Sequence, residues 1–450
     1  MIDFRGKRTI FRKSQPRSNP FRIFLLLLLI LAGAFLLRGY STGAVKPLMA
    51  VTPTPTRIQD SYALEGETHF TAGNLAKAID AYKAATRVNP DDASLWYELA
   101  RIQTYSREQL TTTEERRQRM LEALESSARA VELAPEDSNA HAIRSFVLDW
   151  YASPLLAGEE WEKYLVEAEQ EAVKAIQLDG SNALAMAYYA EILIDQLKYS
   201  QATQYISQAL EKGPDLMDVH RVNGFIQESM GNYAQAINEY TRAAEITPNL
   251  TSLYVAIGLN YRQLGIKTPK YYENALENFA RAAGINEQLG IKDPLPMIAI
   301  AKTYVQLGEF LAASRNILKA VQYEPNTPEV YGQLGIVYFQ ARNYEGSIPA
   351  LKCAVLGCDA SESCQVRNWG EVCDPEEIRD IVIMGMPLDD TTVVYYYTYG
   401  AVLAGMHRAS NGYCGEAMEI LNTVRSKYES DENIMAIVGE SETICKSYGY

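Results

Sequence analysis

The residues of this 450-residue chain best suited to chemistry are its six cysteines, and all fall in the last quarter: Cys353, Cys358, Cys364, Cys373, Cys414 and Cys445. Their spacing lacks the CxxC pairs that hold a zinc ion, so no metal site is expected. An even, clustered set in an oxidising compartment reads as disulfides. Cys414 and Cys445 flank the acidic break "ESDE", 429–432, which separates helical runs at 415–428 and 432–446. Folded antiparallel about that break, at about 1.5 Å of rise per residue, the two runs bring both thiols to the same height. A Cys414–Cys445 bond is therefore expected. Cys353, Cys358, Cys364 and Cys373 surround an irregular stretch, and all three of their pairings stay open.

No GxSxG, HExxH, GxGxxG or GxxxxGK[ST] motif occurs. The four histidines are His69, His141, His220 and His407, and the first three fall where helices pack. Carboxylates are scattered over helix faces, as on a solvated surface. In "VVYYYTYG", 393–400, Tyr396 and Tyr399 take packing positions and Tyr397 alone is left to meet a ligand. No catalysis and no cofactor are expected. The outlying alternative is an active site in the insert 359–390, which offers Asp, Glu, Arg and Trp but no histidine.

Charge narrows the partners. The net charge is -14, yet residues 1–22 hold seven cations against Asp3 alone, a local +6, so the remainder carries -20. An acidic body repels phosphate backbones and excludes nucleic acid as a partner. The basic tail, 1–20, precedes an unbroken apolar run from Ile23 to Leu37. With flanking Phe21, Arg22 and Arg38 reaching outward, 21–38 is expected to be a transmembrane signal-anchor, tail in the cytoplasm and body outside. A cleaved signal peptide, cut near Thr42 and Ala44, is the alternative. Residues 39–58, rich in Thr and Pro, read as an extended linker.

From residue 59 the chain repeats. The cleanest unit, 217–250, places Gly224, Gly231, Tyr233, Ala236, Tyr240, Ala243 and Pro248 at unit positions 8, 15, 17, 20, 24, 27 and 32. Units 59–92, 183–216 and 294–327 keep the phase with Gly66 and Ala78, Ala190 and Ala202, and Ala301 and Ala313. Small residues at 8, 20 and 27 let two helices approach, Gly at 15 ends the first and Pro at 32 stops the second. Units 93–137 and 138–182 are each forty-five residues long, with the excess between their paired helices as lengthened helices or projecting loops. About nine units cover 59–431, and 432–450 reads as a capping helix with an acidic outer face.

This pattern resembles the tetratricopeptide repeat family, of the membrane-anchored bacterial type. The resemblance implies an all-α fold, a right-handed helical-hairpin solenoid behind an N-terminal transmembrane helix. It also implies a protein or peptide ligand in a concave groove lined by first-helix positions 2, 5, 9, 12 and 13. Here these include Tyr97, Arg101, Phe146, Trp150, Glu191, Ile194, Arg221, Phe225, Leu259, Arg262, Lys302, Val305, Ile336 and Phe339. The family's Lys–Asn clamp for a terminal carboxylate is absent: no complete unit has Lys at 5 or Asn at 9. The expected function is a membrane-anchored extracytoplasmic scaffold at the cell membrane. The alternative is an accessory subunit of an envelope assembly, secretion or polymer-export machine.

Overall fold

The computed structural model describes residues 19–41, 59–110, 112–368, 373 and 381–450. Most of the basic tail, the Thr/Pro linker and the middle of the 359–390 insert lie outside the described residues. The chain forms two compact units, Met1–Arg57 and Ile58–Tyr450.

In the first unit, helix α1 runs from Pro20 to Ser41. Phe21 and every residue from Ile23 to Leu31 expose apolar side chains. No helix among the described residues is long and apolar enough to cross a membrane. The side chains of Leu36, Leu37, Gly39 and Tyr40 lie outside the described set.

In the second unit, helices pair in sequence: α2 (Gln59–Thr71) with α3 (Leu75–Val88), α4 (Ala93–Ser106) with α5 (Thr113–Leu133), and α6 (Ser138–Tyr151) through the short α7 (Pro154–Ala157) with α8 (Trp161–Leu178). The series continues with α9 (Ala183–Asp195) and α10 (Tyr199–Lys212), α11 (Met217–Ser229) and α12 (Tyr233–Ile246), and α13 (Thr251–Lys267) and α14 (Tyr271–Leu289). It ends with α15 (Leu295–Gln306) and α16 (Phe310–Tyr323), and α17 (Pro328–Gln340) and α18 (Tyr344–Val355). The insert contributes β1 (Gly357–Cys358), α19 (Ala360–Arg367) and β2 (Ile383–Met384), the strands pairing antiparallel. Then come α20 (Val393–Met406) with α21 (Tyr413–Tyr428), and the cap α22 (Glu432–Ser447).

Close approach within each pair is set by position 8. A Cβ on Gly224 would lie 2.8 Å from the Tyr240 ring, and one on Gly66 would lie 2.5 Å from the Tyr82 ring. Adjacent units are joined by a recurring hydrogen bond. The position-4 side chains of Trp96, His141, His220, Tyr254 and Tyr331 each donate to the carbonyl of the proline six residues earlier, at 2.8–2.9 Å. That proline carbonyl ends the preceding second helix and would otherwise lack a partner. The two histidines also bond a carboxylate on the second helix of their own unit, Glu171 and Glu239. Their role is structural, as their packing positions implied.

The extra length of the second and third units folds as short connecting turns and longer second helices. Residues Arg107–Gln109 and Gly158–Glu160 form single 3-10 turns, and α5 and α8 reach 21 and 18 residues. Three disulfides, Cys353–Cys358, Cys364–Cys373 and Cys414–Cys445, use all six cysteines. The last has the expected pairing and ties the start of α21 to the end of α22, across a Cα separation of 5.4 Å.

Position 15 reverses the chain between paired helices through a left-handed backbone. Gly73, Gly231 and Gly308 supply it at φ of 80°, 76° and 75°. Leu197 and Arg342 stand at the same position in their units with φ of 59°. A side chain there costs about 1–2 kcal/mol, partly offset by the greater freedom of glycine in the unfolded chain. Leu197→Gly and Arg342→Gly should each stabilise the body by about 0.5–1 kcal/mol. Thermal unfolding of the two variants beside Gly231→Ala checks this; the alanine variant should lose stability by a similar amount.

Candidate functional site: the inner face of the array

First helices line the inside of a tetratricopeptide array, and here the inside is divided. Over the first five units it closes on itself. Arg101 of α4 reaches Asp218 of α11, 117 residues on: its Nε donates to Oδ1 at 3.2 Å and its terminal nitrogen to Oδ2 at 2.5 Å. Tyr188 donates to Asp218 at 2.7 Å, and the Tyr105 hydroxyl donates to it as well. At the ring's far side, Asn249 donates to the Thr71 carbonyl at 3.3 Å. A Cβ on Gly73 would lie 2.2 Å from the Asn249 carbonyl oxygen.

A second pair sits beside the first. Arg221 holds Glu191 by two parallel bonds of 2.8 and 2.6 Å, and Trp150 Nε1 donates to the same carboxylate at 3.1 Å. The Arg221 guanidinium lies 5.3 Å from the Phe146 ring centroid and 5.4 Å from that of Trp150. Phe146 stacks on Tyr188 with centroids 4.5 Å apart. The groove expected from sequence is therefore filled at these positions. Phe146 and Ile194 are core, fully or almost fully buried, and Glu191 and Arg221 are buried against one another. The physical reason is ring closure: opposite first helices come near enough for their groove side chains to pack together.

Beside this closed centre lies a pocket of about 390 Å³, within the range of ligand sites. Trp150, Phe225 and Tyr240 give it apolar walls, and Ser153 and Ser252 give hydroxyls. Four carboxylates face it, Glu108, Asp149, Glu191 and Asp195, against two guanidiniums, Arg107 and Arg221. Sequence reading placed Trp150 and Phe225 on the groove and missed Asp149 and Asp195. A signal existed: they are positions 12 and 13 of their units. Arg107, Glu108 and Ser153 come from the longer connections, which no repeat pattern places.

Two of the buried aspartates, Asp218 and Asp149, differ in their partners. Burial alone would push the Asp218 carboxyl up, but Arg101 and hydrogen bonds from Arg101, Tyr105 and Tyr188 outweigh it and hold it at about 2. Asp149 is only 6% exposed and its Oδ1 has no hydrogen-bond partner. Burial pushes its carboxyl well up, Asp195 and Glu191 push it further, and Arg221 and Arg107 pull it back only in part.

Over the later units the inner face stays open. Leu259, Arg262, Lys302, Val305 and Ile336 are half-buried and Phe339 is exposed. Arg262, Lys302 and Ile336 line a pocket of about 260 Å³ between α13, α15 and α17, with Gln263, Gln306, Gln333 and Gln340. No carboxylate pairs with either cation among the described residues. Burial lowers the pKa of both, and Arg262 lowers that of Lys302 further. Tyr97 and Arg101 are half-buried near the N-terminal end, Arg101 being spent on the lock. No group of His, Cys, Asp and Glu among the described residues could hold a metal ion.

The fold is thus a solenoid of helical hairpins with a partly closed inner face. Tetratricopeptide models match it in three places, as "TPR repeat" over 66–103 and "Tetratricopeptide repeat" over 224–250 and 298–362. The chain carries tetratricopeptide repeats in these stretches. Among curated proteins, it is similar to the human and mouse "Superkiller complex protein 3", 28% identical over 92 and 90 residues. Those stretches are 20% of this chain and only 6% of either relative. Among solved structures, one relative is a thermophilic TPR protein of Thermus thermophilus. It is 19% identical with a TM-score of 0.37, over 45% of this chain and 98% of that one. Another is the APC/C heterotetramer Cut9-Hcn1, 14% identical with a TM-score of 0.46, over 86% of this chain and 78% of that one.

Two substitutions should act in opposite directions. Asp218→Asn leaves Arg101 without its main buried partner and should cost about 3 kcal/mol or more at neutral pH. Because the folded pKa of Asp218 is depressed, its contribution is complete above the unfolded carboxylate range and fades as pH falls towards 2. The folded pKa of Asp149 is raised, so the parent loses stability as pH climbs out of the unfolded carboxylate range. Asp149→Asn removes that loss. Its advantage in melting temperature over the parent should be near zero at pH 4 and grow towards pH 8.

Proposed function

We propose that this chain is a membrane-anchored, non-catalytic scaffold that binds an extended segment of another protein along the open part of its inner face. The observation that carries the reading is the pair Arg262 and Lys302, half-buried on adjacent first helices, flanked by apolar Leu259, Val305, Ile336 and Phe339, and without a carboxylate partner among the described residues. A body of net charge -20 has carboxylates to spare, yet none is spent here. Half-buried unpaired cations are costly unless a ligand brings the opposite charge. A segment with an acidic side chain between apolar ones fits that lining. Repeat arrays use such extended concave surfaces for binding.

Anchoring rests on α1 and on the basic residues that precede it. A 22-residue helix is about 33 Å long, against a hydrocarbon core of about 30 Å. Its apolar run is shorter than that, and flanking Phe21, Arg22 and Arg38 extend it by reaching outward. Exposed apolar side chains around the helix suit lipid. Positive residues on its N-terminal side favour a cytoplasmic tail and an extracytoplasmic body. Three disulfides suit that oxidising side.

A photo-crosslinking residue at Val305 should capture a defined partner in intact cells, whereas one at the exposed Leu311 of α16 should not. The double variant Arg262→Glu, Lys302→Glu should abolish capture at Val305 while leaving the helical circular-dichroism signal unchanged. Equal capture at both sites, or capture that survives charge reversal, would overturn the groove assignment.

Topology has its own test. Protease added to right-side-out cells should digest 59–450 and spare a tag at residue 1. A protected body with a digested tag means the orientation is reversed.

A further inference from the structure

The pocket in the closed half has a chemistry of its own. From the charges that line it, we infer that it receives a single basic side chain, lysine or arginine, of a protein partner, with Asp149 and Asp195 taking the cation and Trp150 and Phe225 holding the alkyl stem. The inference rests on the reading of this chain as a protein-binding scaffold, at a site separate from the open groove.

Three observations converge on a cation. The lining carries four carboxyl groups against two guanidiniums, two more acids than cations. The guanidiniums are already committed. Arg221 is spent on Glu191 through both terminal nitrogens, and Arg107 donates to the Trp150 carbonyl at 2.9 Å while its guanidinium lies 5.3 Å from the Trp150 ring centroid. Asp149 lines the pocket, and its Oδ1 is buried and accepts no hydrogen bond. A buried acceptor left open in a cavity marks where a donor is missing.

The shape selects the donor. Asp195 is exposed and Asp149 buried, so the carboxylates run from the pocket's surface inward. Apolar Phe225, Leu253 and Ala256 line the same cavity. A long apolar stem with a terminal cation matches that gradient, as lysine and arginine side chains do. An aromatic wall adds cation–π attraction. A short polar or anionic group would leave the stem region empty or meet like charge.

Proton linkage gives a signature. A cation at Asp149 favours its charged form, acting in the same sense as Arg221 and Arg107 and against burial, Asp195 and Glu191, which push that carboxyl up. Asp195 is pushed up to about 7 by burial and by Glu191 against Arg221, so affinity should rise with pH as the pocket's carboxyls ionise, with proton release visible as a buffer-dependent heat.

Calorimetry on the full-length chain tests the inference with capped tripeptides Ac-Ala-X-Ala-NH2, where X is Lys, Arg, norleucine or Glu, beside n-butylamine. Lys and Arg peptides should bind at least tenfold more tightly than the norleucine peptide, and the Glu peptide should not bind. Asp149→Asn and Asp195→Asn should each weaken the Lys peptide five- to tenfold and each lower the proton release, with Asp149→Asn melting no earlier than the parent. Equal affinity for Lys and norleucine, no saturable binding of either cationic peptide, or tighter binding of the Glu peptide would overturn the inference. If n-butylamine binds as tightly as the Lys peptide, the site takes free amines and the protein partner is overturned. Should an asparagine variant fail to fold, the Lys-to-norleucine ratio of the parent still decides. Arg262→Glu with Lys302→Glu should leave the Lys peptide unaffected, so loss of either site is read independently of the other.

Discussion

The inner face is organised by one carboxylate. Asp218 on α11 draws Arg101 and Tyr105 from α4 and Tyr188 from α9 to a single point. A tetratricopeptide array is ordinarily held by contacts between neighbours, so its curvature is the sum of many small rotations. Here a contact spanning 117 residues fixes that sum for the first five units. Opposite first helices are brought within side-chain reach, and positions that would face a groove must pack. Phe146, Tyr188 and Trp150 fill the space, and Arg221 with Glu191 supplies the remaining charge balance. Buried pairs of this kind contribute little net stability over an apolar filling, but they tolerate no loss of a partner. Their gain is in specifying one closure among many.

The local grammar of the fold was legible because it depends on neighbours. Gly224 beneath the Tyr240 ring, Gly231 in a left-handed turn and Pro248 ending α12 are each fixed within one unit, so spacing alone exposes them. The same logic covers Cys414 and Cys445, whose heights follow from counting residues away from one turn. Closure is different in kind. Nothing near Arg101 in sequence announces Asp218, and position 9 reads as groove in any unit taken alone. Phe146 and Ile194 were assigned to an open surface for that reason. Where units do not meet across the axis, Leu259, Arg262, Lys302 and Val305 stay half-buried, and Arg262 and Lys302 line a pocket. The insert obeyed neither rule. Its β1–β2 pair and two short-range disulfides are tertiary choices without a repeat to copy.

Division of the inner face gives each part a distinct physical character. The closed half is pre-organised: its side chains are held by several bonds each, so a ligand meeting them loses little ordering entropy. The open half offers a longer surface with fewer internal bonds, suited to an extended segment. Both lie in the single compact unit Ile58–Tyr450, and three disulfides brace its C-terminal end.

Asp218 and Asp149 show how one residue type is turned to opposite ends within a single ring. Both are more than nine-tenths buried, and both stand among arginines and other carboxylates. Asp218 accepts bonds from three side chains and stays ionised far below the usual range. Asp149 lacks a donor at Oδ1, faces Asp195 and Glu191, and is driven the other way. A structural carboxylate is satisfied inside the fold, while one reserved for a ligand must remain unsatisfied until the ligand arrives. The stability forgone at Asp149 is then the free energy available for binding, which is why a buried carboxylate left without a donor points to a partner rather than to the core.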